Sequence, residues 1–233
     1  MAVAVASVHL FSAPGRAQAG GPNAPTFLLF GGTDLSRYSA FLYGGALWSP
    51  AGVDADGFTL KALLTGGDYT YTSGDLNTEV RGTMLSAAVM PGWRFSTDGL
   101  VVRLFAGPVV QDYRLNPYDP GSRLRGLYVG GQFSTEIWYQ PAANIMAAVN
   151  GTIASIGPTG SVRTALGLRV FDAMFVGPEA QMLWCANFQQ FEVGGHVTAL
   201  RFQAFEWSAG GGWAMDSDHR TGPYLRLGVS AKF

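Results

Sequence analysis

Residues 222–233 read GPYLRLGVSAKF. Leu225, Leu227, Val229, Ala231 and Phe233 share one parity, and Tyr224, Arg226, Gly228, Ser230 and Lys232 share the other. Successive side chains of a strand point to opposite faces, so the stretch predicts a strand with an apolar and a polar side. A soluble protein would press the apolar side onto a core. A transmembrane barrel turns it to lipid and the polar side to the lumen.

Composition decides between the two. Charged residues make up 13% of the 233, while aromatics reach 13% and there are 32 glycines. The charged fraction is about half the globular average of roughly 25%. No run of about 18 apolar residues offers a membrane helix. A soluble β-sandwich or lipocalin-like barrel is the rival reading, but so few charges would leave its surface poorly solvated. The fold predicted is all-β: an antiparallel up-and-down transmembrane β-barrel of about 12 strands, over residues 26–233. A formal net charge of −1 gives no footprint for nucleic acid.

The first residues point to export. AVAVASVHLFSAPGRAQA (2–19) has an apolar stretch from Ala2 to Phe11, then Pro14, then the small-x-small end Ala17-Gln18-Ala19. This predicts a signal peptide over 1–19, without the usual basic start, and a short extension over 20–25. The single cysteine, Cys185, allows no intramolecular disulfide and reads as a buried or lipid-facing thiol.

From Pro25 onward, segments of about 10 residues recur between turn residues. Strands are predicted near 26–33, 37–48, 57–72, 79–95, 99–112, 124–139, 143–155, 160–171, 174–185, 190–200, 203–214 and 222–233. The joints alternate in kind. STDG (96–99), QPAAN (140–144), FDA (171–173) and a link near Leu200–Gln203 are tight. TSGDLNTE (72–79), DYRLNPYDPGSR (112–123), CANFQQ (185–190) and DSDHRTG (216–222) are more polar. Outer-membrane barrels have short periplasmic turns and longer outer loops, so the first set is assigned inside. SPAGVDADG (49–57) is long for a periplasmic turn, and DLSR (34–37) is short for an outer loop. Trp48, Trp93 and Tyr139 near one rim, and Trp184 and Trp213 near the other, suit the two aromatic girdles of a barrel.

Parity sends a polar set inward. Arg103, Gln111, Glu136, Arg163, Arg169, Glu179, Gln181, His196, Glu206 and Arg226 form its core, joined by Lys61, Arg94, Gln132, Glu192 and Lys232. Charges in a low-dielectric wall must pair or be hydrated. The set therefore predicts either a salt-bridge network that fills the lumen or a polar pore or glycan groove. FAGPVVQ (105–111) and FVGPEAQ (175–181) share F-x-G-P-x-x-Q, and their outward prolines, Pro108 and Pro178, predict a bulge at each.

Two constellations bear on catalysis. Asp216, Ser217, Asp218 and His219 sit together on the last outer loop, where an acid beside a histidine can orient a base. His196 falls near Glu192, Glu206 and Ser208 on adjacent strands. Both read more simply as a hydrophilic turn and a satisfied interior histidine, so no catalytic residue is assigned. No metal-ligand spacing or phosphate loop is present, and no metal or cofactor is expected.

Several motifs carry a family likeness. They are FLYGGALWSPAGVDADGFTLKALLTGGDYTY (41–71), MPGWRF (90–95), LFAGPVVQDYRLNPYDPGSRLRG (104–126), VGPEAQ (176–181) and AFEWSAGGGWAMDSDHRTGPYLRLGV (204–229). In this order the chain resembles the cellulose biosynthesis protein BcsS family over nearly all of its mature length. MLWCANFQQFEVGGHV (182–197) departs from the expected pattern, with Trp184 and Cys185 in place of more polar residues.

The resemblance implies an envelope β-barrel tied to bacterial cellulose production and supplies no catalytic residues. The function expected is an outer-membrane accessory that assists export or surface anchoring of the glucan. Outer-membrane lipid and either cellulose or other cellulose-biosynthesis proteins would be its partners. Loop 112–123 offers Tyr113, Tyr118, Asp119 and Arg123 for stacking and hydrogen bonding to sugars. The alternatives are an outer-membrane enzyme using Asp218 and His219 on lipid or peptide at the rim, and a purely structural barrel. Phe233, a terminal aromatic on the lipid side, resembles the signal by which such barrels are recognised for insertion.

Overall fold

The computed structural model describes residues 24–185 and 188–233. The expected signal peptide and most of the extension lie outside the described residues. Among those described, twelve strands close one antiparallel barrel. They are β1 (Phe27–Ser36), β2 (Ser39–Trp48), β3 (Gly57–Ser73), β4 (Thr78–Thr97), β5 (Leu100–Asn116) and β6 (Gly126–Ala142). The circle continues with β7 (Ile145–Ala154), β8 (Thr159–Val170), β9 (Met174–Cys185), β10 (Phe188–Phe202), β11 (Phe205–Asp216) and β12 (Thr221–Lys232).

GPYLRLGVSAKF supplies the closing strand. β12 pairs with β1 from Leu28↔Lys232 to Ser36↔Tyr224. Phe27 and Phe233 exchange backbone hydrogen bonds of 3.0 and 2.8 Å. Closure leaves no open edge, which would otherwise expose a row of unpaired backbone groups.

The alternation read from the sequence holds on the strands. On β12, Tyr224 and Arg226 are buried while Leu225 and Leu227 are exposed. Around the barrel the outward face carries Leu42, Leu64, Leu127, Val129, Leu166 and Leu168, each at least 60% exposed. An apolar belt of this kind is unfavourable in water and matches hydrocarbon. Outward aromatics gather at the end that holds the termini: Trp48 beside Phe58, Trp93 beside Phe95, and Phe205 beside Trp207. Trp213 is exposed near the other end, and Trp184 lies against Gly160.

Several joints differ from their predicted form. β9 runs to Cys185 and β10 starts at Phe188, so four residues of CANFQQ, Cys185, Phe188, Gln189 and Gln190, belong to strands. β5 runs to Asn116, which confines the next loop to 117–125. Among the described residues, the other joints at that end span at most four residues, and 117–125 is the longest there. At the end with the termini, 49–56 is the long one. The prolines of the repeated F-x-G-P motif carry no bulge. Pairing of β5 with β4 lapses between Val109↔Ala88 and Phe105↔Gly92 but resumes with the same offset. Pairing of β9 with β8 lapses likewise between Glu179↔Ala165 and Val176↔Leu168. A proline lacks the N–H to sustain the ladder, yet no residue is inserted. The preceding glycines let the strands approach: a Cβ on Gly107 would strike the Val89 carbonyl, and one on Gly177 the Leu166 carbonyl.

The true bulges lie elsewhere. β6 gains a residue between Tyr139 and Ala142, and β10 gains one between Val197 and Leu200. Both are close to the end with the termini. The second coincides with Ala199 at φ 62°, and it reverses the parity of the residues that follow.

Candidate functional site: a closed lumen with a vestibule

The lumen is bound by two buried ion clusters. In the first, Lys61 of β3 lies 2.6 Å from Glu136 of β6, and Arg103 of β5 lies 3.4 Å from the same carboxylate. In the second, Arg226 of β12 reaches Glu179 of β9 at 3.2 Å, Glu192 of β10 at 2.9 Å and Asp34 of β1 at 3.2 Å. It also donates to Gln181 at 2.7 Å. Arg163 of β8 binds Glu179 through two nitrogens, and the Tyr224 hydroxyl donates to Glu179 at 2.9 Å. Each cluster ties strands that are not neighbours in the wall, so the side chains cross the interior. Beside the first cluster a void of about 30 Å³ is lined in part by Lys61, Gln111, Gln132 and Ser134.

Other residues of the predicted polar set make further contacts. The His196 ring is held between the Thr198 hydroxyl at 2.9 Å and the Leu166 carbonyl at 3.0 Å. Gln111 accepts from Tyr113 at 2.8 Å. Glu206 pairs with Arg201 at 3.4 Å. Arg169 donates to the Ala143 carbonyl at 2.7 Å and lies 4.6 Å over the Phe175 ring. Asp34, Asp54 and Asp56 were not among the residues that parity sent inward. Asp34 belongs by sequence to the DLSR turn, although Leu28 and Phe30 share its parity. Asp54 and Asp56 sit in a joint, where parity says nothing.

Both mouths carry a plug. At the end with the termini, segment 49–56 folds into the barrel. Val53 is fully buried, and its carbonyl accepts from Arg103 at 3.3 Å. Asp54 grips Lys232 at 2.7 Å, and Asp56 grips Arg94 at 2.6 Å. At the far end, loop 117–125 folds inward over a cluster of Tyr69, Tyr71, Tyr113, Ile156 and Phe188, and adds Leu124 to it. The Tyr71 hydroxyl donates to Asp119 at 2.7 Å.

This plug separates the four proposed sugar contacts. Tyr113 and Asp119 are each 2% exposed, whereas Tyr118 is 66% exposed and stacks on Arg125 at 4.6 Å. Arg123 is exposed, and its carbonyl accepts from Tyr128. The four therefore do not form one surface, because Asp119 anchors the loop and Tyr113 faces the lumen. In the DSDH turn, Asp216 accepts from the Asp218 and Arg220 amides and pairs with the Arg220 guanidinium at 2.8 Å. Cys185 is buried, with its thiol near the Gly157 carbonyl.

A family model for cellulose biosynthesis protein BcsS matches residues 28–233, from the first residues of β1 to the end of β12. The chain belongs to the BcsS family. No curated protein sequence matches this family member. Among solved structures it is similar to LpxR from Salmonella typhimurium, with TM-score 0.51 and 9% identity, covering 89% of this chain and 100% of that one. It is also similar to the KdgM porin, with TM-score 0.50 and 8% identity, covering 88% and 99%. At such identity these likenesses show the barrel fold alone. The family match ties this BcsS-family barrel to cellulose biosynthesis, and its closed twelve-stranded wall is the scaffold for that role.

The same barrel keeps a large space. Beside the 49–56 plug, a vestibule of about 990 Å³ opens at the end with the termini, under β4, β6, β8 and β10. Arg94, Trp138, Gln140, Arg169, Phe175 and Arg201 are among its walls.

Proposed function

We propose that this chain is an outer-membrane barrel that anchors glucan at the cell surface during cellulose production, without serving as its conduit. The observation that carries the reading is the double closure of the lumen, by Asp54 on Lys232 at one mouth and by Asp119 under Tyr71 at the other. A polymer in transit would have to displace both plugs and part the ion clusters between them. The apolar belt and aromatic rim support a seat in outer-membrane lipid. The end with the termini then faces the periplasm, and loop 117–125 faces out. The role needs no catalytic step: His196 is held by Thr198 and Leu166, and Asp216 organises its own turn. The components it serves are the glucan and other cellulose-biosynthesis proteins.

Deletion of the gene tests this. Cell-bound, dye-retaining cellulose is expected to fall while glucan appears in the medium. Unchanged cell-bound cellulose and biofilm would overturn the reading. A fall in total glucan with none released would favour assistance to export instead.

A further inference from the structure

We infer that the vestibule at the terminus-bearing mouth is a binding site for a neutral β-linked oligosaccharide, a periplasmic contact distinct from the surface anchoring, in a proposal that rests on the reading above for its glucan and for the side it faces. Three independent features point to a ligand there. The first is size: about 990 Å³ is at the upper end of the range of about 300–1,000 Å³ for small-molecule sites.

The second is a set of unpartnered donors on two residues that line the space. Trp138 is 5% exposed and its Nε1 finds no partner among the described residues. Arg94 is fully buried. Its Nη1 is bound to Asp56, but its Nε and Nη2 find no partner among them. Buried polar groups are nearly always satisfied, and unsatisfied ones call for a partner such as a ligand or water.

The third is the backbone. The two bulges lie at the edge of this space. Beside the one in β6, Gln140 reaches the wall by ordinary alternation, and the one in β10 reverses parity so that Arg201 joins it. Bulges that re-aim side chains recur beside functional sites and at barrel rims.

The lining selects the ligand class. Trp138 and Phe175 meet edge to face at 5.7 Å and supply aromatic surface, with Arg169 over Phe175. Asp98 and Asp172 supply acceptors, while Gln140 supplies both donor and acceptor. An apolar ligand would strip water from these groups without replacing it. An anion would find Arg94 and Arg201 already engaged by Asp56 and Glu206, with two more carboxylates nearby. A neutral sugar chain presents hydroxyls that donate and accept, together with C–H faces that suit aromatic rings.

The test is calorimetric titration of the full chain in detergent micelles with cellotetraose and, separately, with tetragalacturonate. Saturable binding of cellotetraose is expected, with tetragalacturonate weaker. Trp138→Phe keeps the packing on Phe175 and removes the donor, and Arg201→Leu removes a wall group. Each is expected to weaken cellotetraose binding about tenfold, the size of one lost hydrogen bond. Absence of saturable binding, equal or tighter binding of tetragalacturonate, or no change in both variants would overturn the proposal. The same variants, returned to a deletion strain, separate the two readings. Full rescue of cell-bound cellulose by a variant that no longer binds would sink the vestibule as a functional site and leave the anchoring role standing. A deletion without phenotype would sink the anchoring role, whatever the titration shows.

Discussion

Arg226 on β12 lies 3.2 Å from Glu179 on β9, with β10 and β11 between them in the wall. The pair therefore spans the lumen instead of running along it. Glu179 also receives Arg163 and Tyr224. Glu179→Gln would leave two buried guanidinium groups without their shared carboxylate. Breaking a buried pair from one side costs about 3–5 kcal/mol, so the variant is expected to unfold at clearly lower urea in lipid vesicles. An unshifted midpoint would show that the cluster is hydrated and adds little.

The two plugs predict electrical silence. In planar bilayers the full chain is expected to stay closed at moderate voltage. Removing the grip of Asp54 on Lys232 with Asp54→Ala, together with Asp56→Ala to free Arg94, is expected to produce brief openings. Steady large conductance from the unaltered chain would contradict the closed lumen.

The outer plug is expected to be pH-dependent. Burial acts to raise the Asp119 carboxyl, but hydrogen bonds from Tyr71, the Gly121 amide and Ser73 outweigh it and hold it below the usual carboxylate range. A depressed folded value gives stability that is fully present above the unfolded value of about 3.9 and lost as pH falls through the folded one. Pepsin cleavage near Leu124 is expected to accelerate only at the acid end of that window. At neutral pH, Asp119→Asn is expected to loosen the loop and speed trypsin cleavage after Arg123 and Arg125, and equal cleavage of both proteins would refute the link.

The repeated F-x-G-P motif makes a stability prediction. A methyl on Gly107 or Gly177 meets backbone carbonyls, which a side-chain shift cannot relieve. Gly107→Ala and Gly177→Ala are each expected to cost roughly 1–3 kcal/mol, as overpacking does. Gly131→Ala places its methyl in open space and serves as the neutral comparison. Heat-modifiable mobility and urea midpoints would reveal the difference, and equal behaviour of all three would remove the packing account.

The sequence by itself determined the barrel. Period-two alternation on strands such as 222–233, with few charges and many aromatics, assigns each residue a face because strand side chains alternate strictly. That rule placed Arg163, Glu179 and Arg226 inside without reference to any partner. It failed where backbone geometry departs from the rule. The β10 bulge turned Arg201 inward against its parity, and the prolines at 108 and 178 broke hydrogen bonds without inserting a residue. Only the tertiary structure decided which charges meet, because pairing across a lumen depends on strand stagger and on distances that no local pattern encodes. It also decided that 49–56 and 117–125 fold inward as plugs. A joint has no period to read, and its course is set by the partners it finds: Asp54 by Lys232, and Asp119 by Tyr71.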